Sequence, residues 1–87
     1  MEDRIHLRLV TPGGSALERT ASYVRVPTPE GSVGILANHA PMLFAVGKGT
    51  MLCRYEGGET RVRLSGGVGS VEDNQLTILA EEAAVET

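Results

Sequence analysis

Two histidines and one cysteine are the side chains of this chain with the most chemical potential. His39 and Cys53 could form a nucleophilic pair, because an imidazole beside a thiol can take its proton and activate the sulfur. The segment around Cys53 is apolar and strand-like, which is typical of a small residue inside a sheet or core. We therefore expect Cys53 to be structural, and no enzyme active site is visible in the sequence.

Metal binding would use His6, His39, Cys53 and the scattered carboxylates. These residues do not follow the short Cys-x-x-Cys or His-x-x-x-His spacing with which metal ligands usually meet on one element. The sequence therefore predicts no metal site.

Glycine-rich segments at 47–50 and 66–70 raise the alternative of a phosphate-binding loop. Such a loop ends in Gly-Lys-Ser/Thr and leads into a helix, whereas both segments here precede strand-like residues. Ser65 and Ser70 lie near glycines but outside the Gly-x-Ser-x-Gly frame of a hydrolase nucleophile. We expect no nucleotide and no other cofactor.

The charge balance excludes several partner classes. The 87 residues include 8 basic and 11 acidic side chains, for a net charge of −3, with no run of Lys or Arg. A footprint for a phosphate backbone is missing, so we expect no nucleic acid partner. The chain has no secretion-signal pattern and no apolar stretch near the roughly 20 residues of a spanning helix. We expect a soluble, cytoplasmic protein without direct membrane insertion.

Apolar residues alternate with polar ones through most of the chain, which predicts strands with one buried face. The pattern runs through Ile5–Leu9, Val24–Val26, Thr60–Leu64 and Gln75–Ala80. Turn signals separate these runs: Pro12-Gly13-Gly14, Pro27–Gly31, Gly47-Lys48-Gly49, Gly57-Gly58, Gly66-Gly67 and Asp73-Asn74. The tail "AEEAAVET" has a helix-forming composition but is too short to be a stable helix alone. We predict one all-β domain over residues 1–87, a flattened antiparallel sandwich or barrel of about 8–10 short strands.

Three segments, read in order, resemble the epsilon subunit of bacterial and chloroplast F-type ATP synthases, which is called delta in mitochondria. They are "HLRLVTPGGSAL", "VPTPEGSVGILANHAPM" and "RLSGGVGSVEDNQLTILAEEA". The two most distinctive motifs are Gly34-Ile35-Leu36-x-Asn38-His39-Ala40-Pro41 and Ser65-Gly66-Gly67-x6-Asn74-x3-Ile78-Leu79-Ala80. The likeness covers nearly the whole chain.

The resemblance implies a β-sandwich domain of the central stalk and not an enzyme. Such a domain binds the gamma subunit and the ring of c subunits, and it couples ion-driven rotation to ATP synthesis or hydrolysis. It would be peripheral, at the cytoplasmic face of the inner or plasma membrane, as part of the synthase. Typical members continue into an inhibitory helical hairpin. Because the sequence ends at Thr87, we expect hairpin-mediated inhibition and nucleotide sensing to be absent.

The resemblance also assigns two groups of site residues. The loop that meets the c ring corresponds to Thr28, Pro29, Glu30, Gly31 and Ser32, and the surface near gamma corresponds to Thr11, His39, Ala40, Pro41 and Met42. For His39, a purely structural role remains open, in which the residue caps a turn through a hydrogen bond to the backbone. The alternative function is that of a freestanding β-sandwich module that binds another protein or a small ligand.

Overall fold

The alternation seen in the sequence becomes a set of strands with one buried and one exposed face. The structure, a computed structural model, describes residues 3–86. In β1, for example, Ile5, Leu7 and Leu9 are buried while His6 and Arg8 are exposed. The strands of the described range are β1 Ile5–Thr11, β2 Gly14–Ala21, β3 Tyr23–Thr28, β4 Gly31–Leu36, β5 Met42–Tyr55, β6 Gly58–Glu72, β7 Gln75–Ala80 and β8 Ala83–Glu86. No helix in residues 3–86 is long and apolar enough to cross a membrane.

Two long paired strands, β5 and β6, belong to both layers of the sandwich. The hydrogen-bonded order is β2-β1-β7-β6-β5-β3-β4, and β8 pairs with β6 outside that path. The first layer consists of β2, β1, β7, residues 67–72 of β6 and residues 42–46 of β5. The second layer consists of β8, residues 58–65 of β6, residues 48–55 of β5, β3 and β4. The all-β sandwich prediction is confirmed.

Glycines mark the place where the long pair passes from one layer to the other. Pairing runs from Val46 opposite Gly67 to Lys48 opposite Ser65, which leaves Gly47 and Gly66 out of the ladder. The prediction that these glycine segments end strands is wrong. Glycine at such a place lets a strand bend or bulge without stopping. The turns at Pro12-Gly13, Glu56-Gly57 and Asp73-Asn74 do separate strands.

The sheet is not antiparallel throughout, which corrects the predicted topology. β1 and β7 run parallel, with His6 opposite Gln75 and Val10 opposite Leu79. A parallel pair needs a long connection, and here most of the chain lies between the two strands. The alternation pattern specifies faces but not strand direction, so the sequence could not distinguish the two arrangements.

The tail forms a strand that its composition does not favour. Residues 83–86 pair antiparallel with residues 61–64 of β6. An exposed edge of β6 offers backbone donors and acceptors there, and this pairing outweighs the weak local helix preference.

One hydrophobic cluster joins the layers and fills the space between them. No polar or charged side chain of residues 3–86 is buried. The fully or nearly fully buried members include Ile5, Leu7, Leu9, Val71, Leu76 and Ile78 from the first layer and Val24, Val26, Ile35, Met51, Cys53, Val62 and Leu64 from the second. The prediction of a core position for Cys53 is confirmed.

Gly67 follows the bend in β6 and gives a test of how closely β6 approaches β7 there. Its φ of 142° is unfavourable for other residues, and a Cβ there would lie 2.9 Å from the Cα of Ala80 on β7. Gly67→Ala should lower the free energy of unfolding by more than about 2 kcal/mol in a denaturant titration. Gly13→Ala is the control, since the nearest atom to its Cβ would be 3.8 Å away. The control should change stability by about 0.5 kcal/mol or less. Equal effects of both substitutions would contradict this account of the close approach of β6 to β7.

Candidate functional site

The segment predicted to face the c ring forms the tip of the β3–β4 hairpin. Thr28 pairs with Gly31, so Pro29 and Glu30 form a two-residue turn whose side chains are exposed. The Glu30 N–H donates to Thr28 Oγ1 at 3.3 Å. Gly31 has a φ of 135°, in the region that favours glycine. The tip therefore presents one exposed carboxylate on a turn whose backbone is locally fixed.

The tip rests on the bend of β5. A Cβ added to Gly47 would lie 2.7 Å from the carbonyl carbon of Thr28 and 2.9 Å from the nitrogen of Pro29. This close approach of two backbones requires glycine at position 47. The base of the hairpin tip is thus packed against the strand that links the two layers.

The turn before β5 holds the residues predicted to lie near gamma. The His39 N–H donates to the Leu36 carbonyl at 3.3 Å, and His39 Nδ1 lies 2.7 Å from the Ala40 carbonyl oxygen. A carbonyl only accepts, so Nδ1 carries the hydrogen of this second bond. These are the backbone bonds expected of His39 as a turn residue, while its contact with gamma stays a prediction. Its imidazole is half-buried, while Ala40 and Pro41 are exposed.

Met42 and the hairpin tip share one surface groove. A cavity of about 520 Å³ lies between Thr28, Pro29 and Glu30 on one side and Met42, Phe44 and Ala45 of β5 on the other. Met42 is itself half-buried and packed against the core. Of the residues predicted to lie near gamma, only Met42 therefore joins the hairpin tip in this groove, and it offers only part of its side chain to a partner.

Thr11 and Met42 lie at opposite corners of the first layer. It ends β1, and its Oγ1 donates to the Gly14 carbonyl at 3.3 Å. Strands β7 and β6 separate β1 from β5, and Met42 pairs at the opposite end of this layer. Thr11 and the residues 39–42 are thus not brought into contact.

An exposed apolar patch on the outer face of the first layer lies between these two corners. Ala45 is opposite Val68, Val68 is opposite Leu79, and Leu79 is opposite Val10. Leu43 lies two residues before Ala45 and points to the same side, since Met42 and Phe44 pack on the core. Leu43 is 75% exposed, Leu79 53% and Val68 46%. We call these residues the apolar patch: Val10, Leu43, Ala45, Val68 and Leu79.

Sequence reasoning did not predict the apolar patch. Leu79 occupies an outward position of β7, on the same side as Thr77, where alternation predicts a polar side chain. Leu43 and Ala45 are likewise apolar at outward positions of β5. The available signal was an apolar residue at a position where the alternation of a strand calls for a polar one. Only the register between strands shows that such residues of four strands form one surface.

The outer face of the second layer is chemically different. It carries Arg25 and Arg61, which lie directly opposite Leu52 from the two flanking strands. Leu52 lies outside the core cluster, yet only 3% of it is exposed. The apolar stems of neighbouring arginines can cover a side chain in this position. Glu59 lies 3.3 Å from Arg61 and 3.7 Å from Arg54. This face is mainly charged, with Leu36 as an exposed apolar residue at its β4 edge.

Cys53 has the surroundings of an inert thiol. It is fully buried, and burial raises the pKa of its thiol, with a smaller opposing effect from the Arg19 charge. No hydrogen bond joins it to His39 in the part of the chain that the structure describes, so the two are not arranged as a nucleophile and base. Across residues 3–86, no three His, Cys, Asp or Glu side chains are grouped to hold a metal ion.

Comparison with known proteins assigns the class of domain. Residues 4–86 match the family model described as "ATP synthase, Delta/Epsilon chain, beta-sandwich domain". The chain belongs to this family.

Individual relatives agree with that assignment. The chain is 41% identical over 83 residues to the ATP synthase epsilon chain of Nitratidesulfovibrio vulgaris strain Miyazaki F, covering 95% of this chain and 62% of the relative. It is 43% identical over 89 residues to that of Maridesulfovibrio salexigens, covering 99% of this chain and again 62% of the relative. The chain thus spans about three fifths of the length of these relatives.

A solved structure shares the fold over almost all of the chain. A chain in the Euglena gracilis mitochondrial ATP synthase structure, described as OSCP/F1/c-ring in rotational state 1, superposes with a TM-score of 0.90 at 27% identity. The match covers 98% of this chain and 55% of that chain.

The Cys53 thiol predicts a specific dependence of stability on pH. A thiol whose pKa is raised by folding stays neutral in the folded state at pH values where the unfolded chain already ionises. Its contribution to the free energy of unfolding is therefore fully present below the unfolded pKa and is lost as the pH rises through the folded pKa. The stability advantage of the wild type over Cys53→Ala should therefore be largest at neutral pH and should shrink in alkaline solution. Urea titrations of both proteins at a series of pH values measure this difference. A difference that stays constant or grows with pH would contradict the assignment.

Proposed function

We propose that this domain is a non-catalytic coupling element of an F-type ATP synthase. The outer face of the first layer binds the gamma subunit, and the tip of the β3–β4 hairpin contacts the c ring. The domain is a peripheral part of the complex at the cytoplasmic face of the membrane. The observation that carries the proposal is the apolar patch on a domain of the delta/epsilon family.

The apolar patch supports the gamma contact. Three large aliphatic side chains of neighbouring strands remain about half or more exposed on a single face. Contiguous apolar surface of this kind marks interaction sites on soluble proteins. Removing a leucine side chain from water is worth about 1.5–3 kcal/mol, so a few such residues supply the driving force for a stable interface. The patch also joins the two separate corners at which sequence reasoning predicted gamma contacts.

The hairpin tip supports a different kind of contact. Its exposed residues are Pro29, Glu30, Gly31 and Ser32, of which Glu30 alone is charged. A turn fixed by proline, glycine and an internal hydrogen bond loses little conformational entropy when it docks. Glu30 can complement basic or hydrogen-bond-donating groups on the polar loops of a ring.

Packing explains how one small domain could transmit force between the two partners. The tip packs on Gly47, and β5 continues from that bend into the strand that carries Leu43 and Ala45. Protein interiors are close-packed, so a displacement of the tip passes to the layer that holds the patch. We propose that this direct connection allows the ring, this domain and gamma to rotate together.

The gamma contact is tested by Leu43→Asp. Leu43 is a better position than Met42, because Met42 packs on the core and Met42→Asp would also lower stability. Placing a carboxylate in an apolar contact should weaken binding to the cognate gamma subunit roughly 10- to 100-fold in titration calorimetry. The melting temperature should remain close to that of the wild type.

Leu36→Asp is the matched control for this experiment. Leu36 is 58% exposed, but it pairs with Tyr23 on the second layer. This substitution should leave gamma affinity within about twofold of the wild type, as expected for a position outside the interface. Equal affinity of the wild type and Leu43→Asp would refute the proposed gamma face. Failure of the wild type itself to bind gamma would favour a freestanding binding module.

The ring contact is tested by Glu30→Gln, which keeps the shape of the side chain and removes its charge. Binding of the gamma–domain complex to isolated c ring should weaken about twofold to fivefold at low salt, as expected for an exposed charge, and the difference should fade at high salt. Gamma affinity should not change. A loss of gamma affinity with intact ring binding would reverse the proposed orientation of the domain.

A further inference from the structure

Asn74 links three segments of the chain through hydrogen bonds. Its backbone carbonyl accepts from the His6 N–H at 2.8 Å. Its side-chain Oδ1 accepts from the Asn38 N–H at 2.5 Å, and its Nδ2 donates to Asn38 Oδ1 at 3.4 Å. The two asparagines, 36 residues apart in the chain, therefore form a reciprocal amide pair.

The amide pair connects the two layers at one end of the sandwich. Asn74 belongs to the turn between β6 and β7 of the first layer, whereas Asn38 belongs to the connection from β4 of the second layer to β5 of the first. That connection, residues 37–41, leads directly into Met42 and Leu43. Its conformation therefore decides how β5 enters the layer that carries the apolar patch.

Asparagine suits position 74 for two reasons. Asn74 has a φ of 62° and Asn38 a φ of 65°, a left-handed conformation that asparagine tolerates better than most residues. Its amide also has both an acceptor and a donor, so it can bond the backbone and the side chain of Asn38 at once. Aspartate would retain the acceptor and lose the donor, and glycine would retain only the backbone.

We infer that Asn74 is a positioning residue for gamma docking: it fixes the turn at residues 38–41 and, through it, the start of β5. The inference rests on the proposed gamma contact. Asn38 is exposed and Asn74 half-buried, so we expect the pair to add little to global stability. We expect its effect to be local: the pair opposes the local unfolding of residues 37–41, which connect β4 to β5.

Three substitutions separate the roles of the turn, the acceptor and the donor. Asn74→Gly deletes both side-chain bonds and tolerates the same φ. Asn74→Asp keeps the acceptor for the Asn38 N–H. Asp73→Gly is the control, because Asp73 is the adjacent left-handed residue of the same turn, with a φ of 50°.

The first readout is hydrogen exchange of the Asn38 amide, measured by NMR on the domain alone. Asn74→Gly should raise the exchange rate about tenfold or more, because its acceptor is lost and the connection opens. Asn74→Asp and Asp73→Gly should remain within about threefold of the wild type. Similar rates in Asn74→Gly and Asp73→Gly would overturn the inference.

The second readout is affinity for gamma. Asn74→Gly should bind about three- to tenfold more weakly, and Asn74→Asp should bind nearly as tightly as the wild type. Faster exchange of the Asn38 amide without loss of gamma affinity would overturn the positioning role, provided that Leu43→Asp weakens binding. If Leu43→Asp also has no effect, the proposed gamma face itself fails, so the two failures can be distinguished.

Discussion

The hydrogen-bonded pairing of β5 with β6 is the interaction on which the rest of the structure depends. The ladder between these strands runs through both layers, and its only gap is at Gly47 and Gly66. Every other strand joins this pair directly or through one or two neighbours. Closing the sandwich thus needs a bend at one place, and the bend also holds the base of the hairpin tip through the contact of Gly47 with Thr28.

This arrangement gives the two outer faces different chemistry. Alternation makes each strand bury one side, and the register then decides which outward side chains become neighbours. In the first layer it aligns aliphatic residues into the apolar patch, while in the second it gathers arginines around Leu52. The outer face of the first layer is therefore the more apolar of the two, and it is the face that we propose contacts gamma.

Much of the fold could be predicted from the sequence, because burial on one face leaves a period of two that is readable in β1 and β7. The tight turns were readable from their glycine, proline and asparagine residues. The parallel pairing of β1 with β7, the strand at residues 83–86 and the continuity of β5 through Gly47 were not. These depend on contacts between distant segments, which local propensity does not encode.

For the candidate site, the motif at residues 28–42 indicated the hairpin tip and the turn of His39. The apolar patch was not readable, since its members come from four strands. The most direct test of the account is an amide hydrogen-exchange footprint of the wild-type domain with and without gamma. The account predicts new protection at residues 42–46, 67–72 and 75–80 and none at residues 23–26 or 61–64. Protection concentrated on the second layer would contradict it.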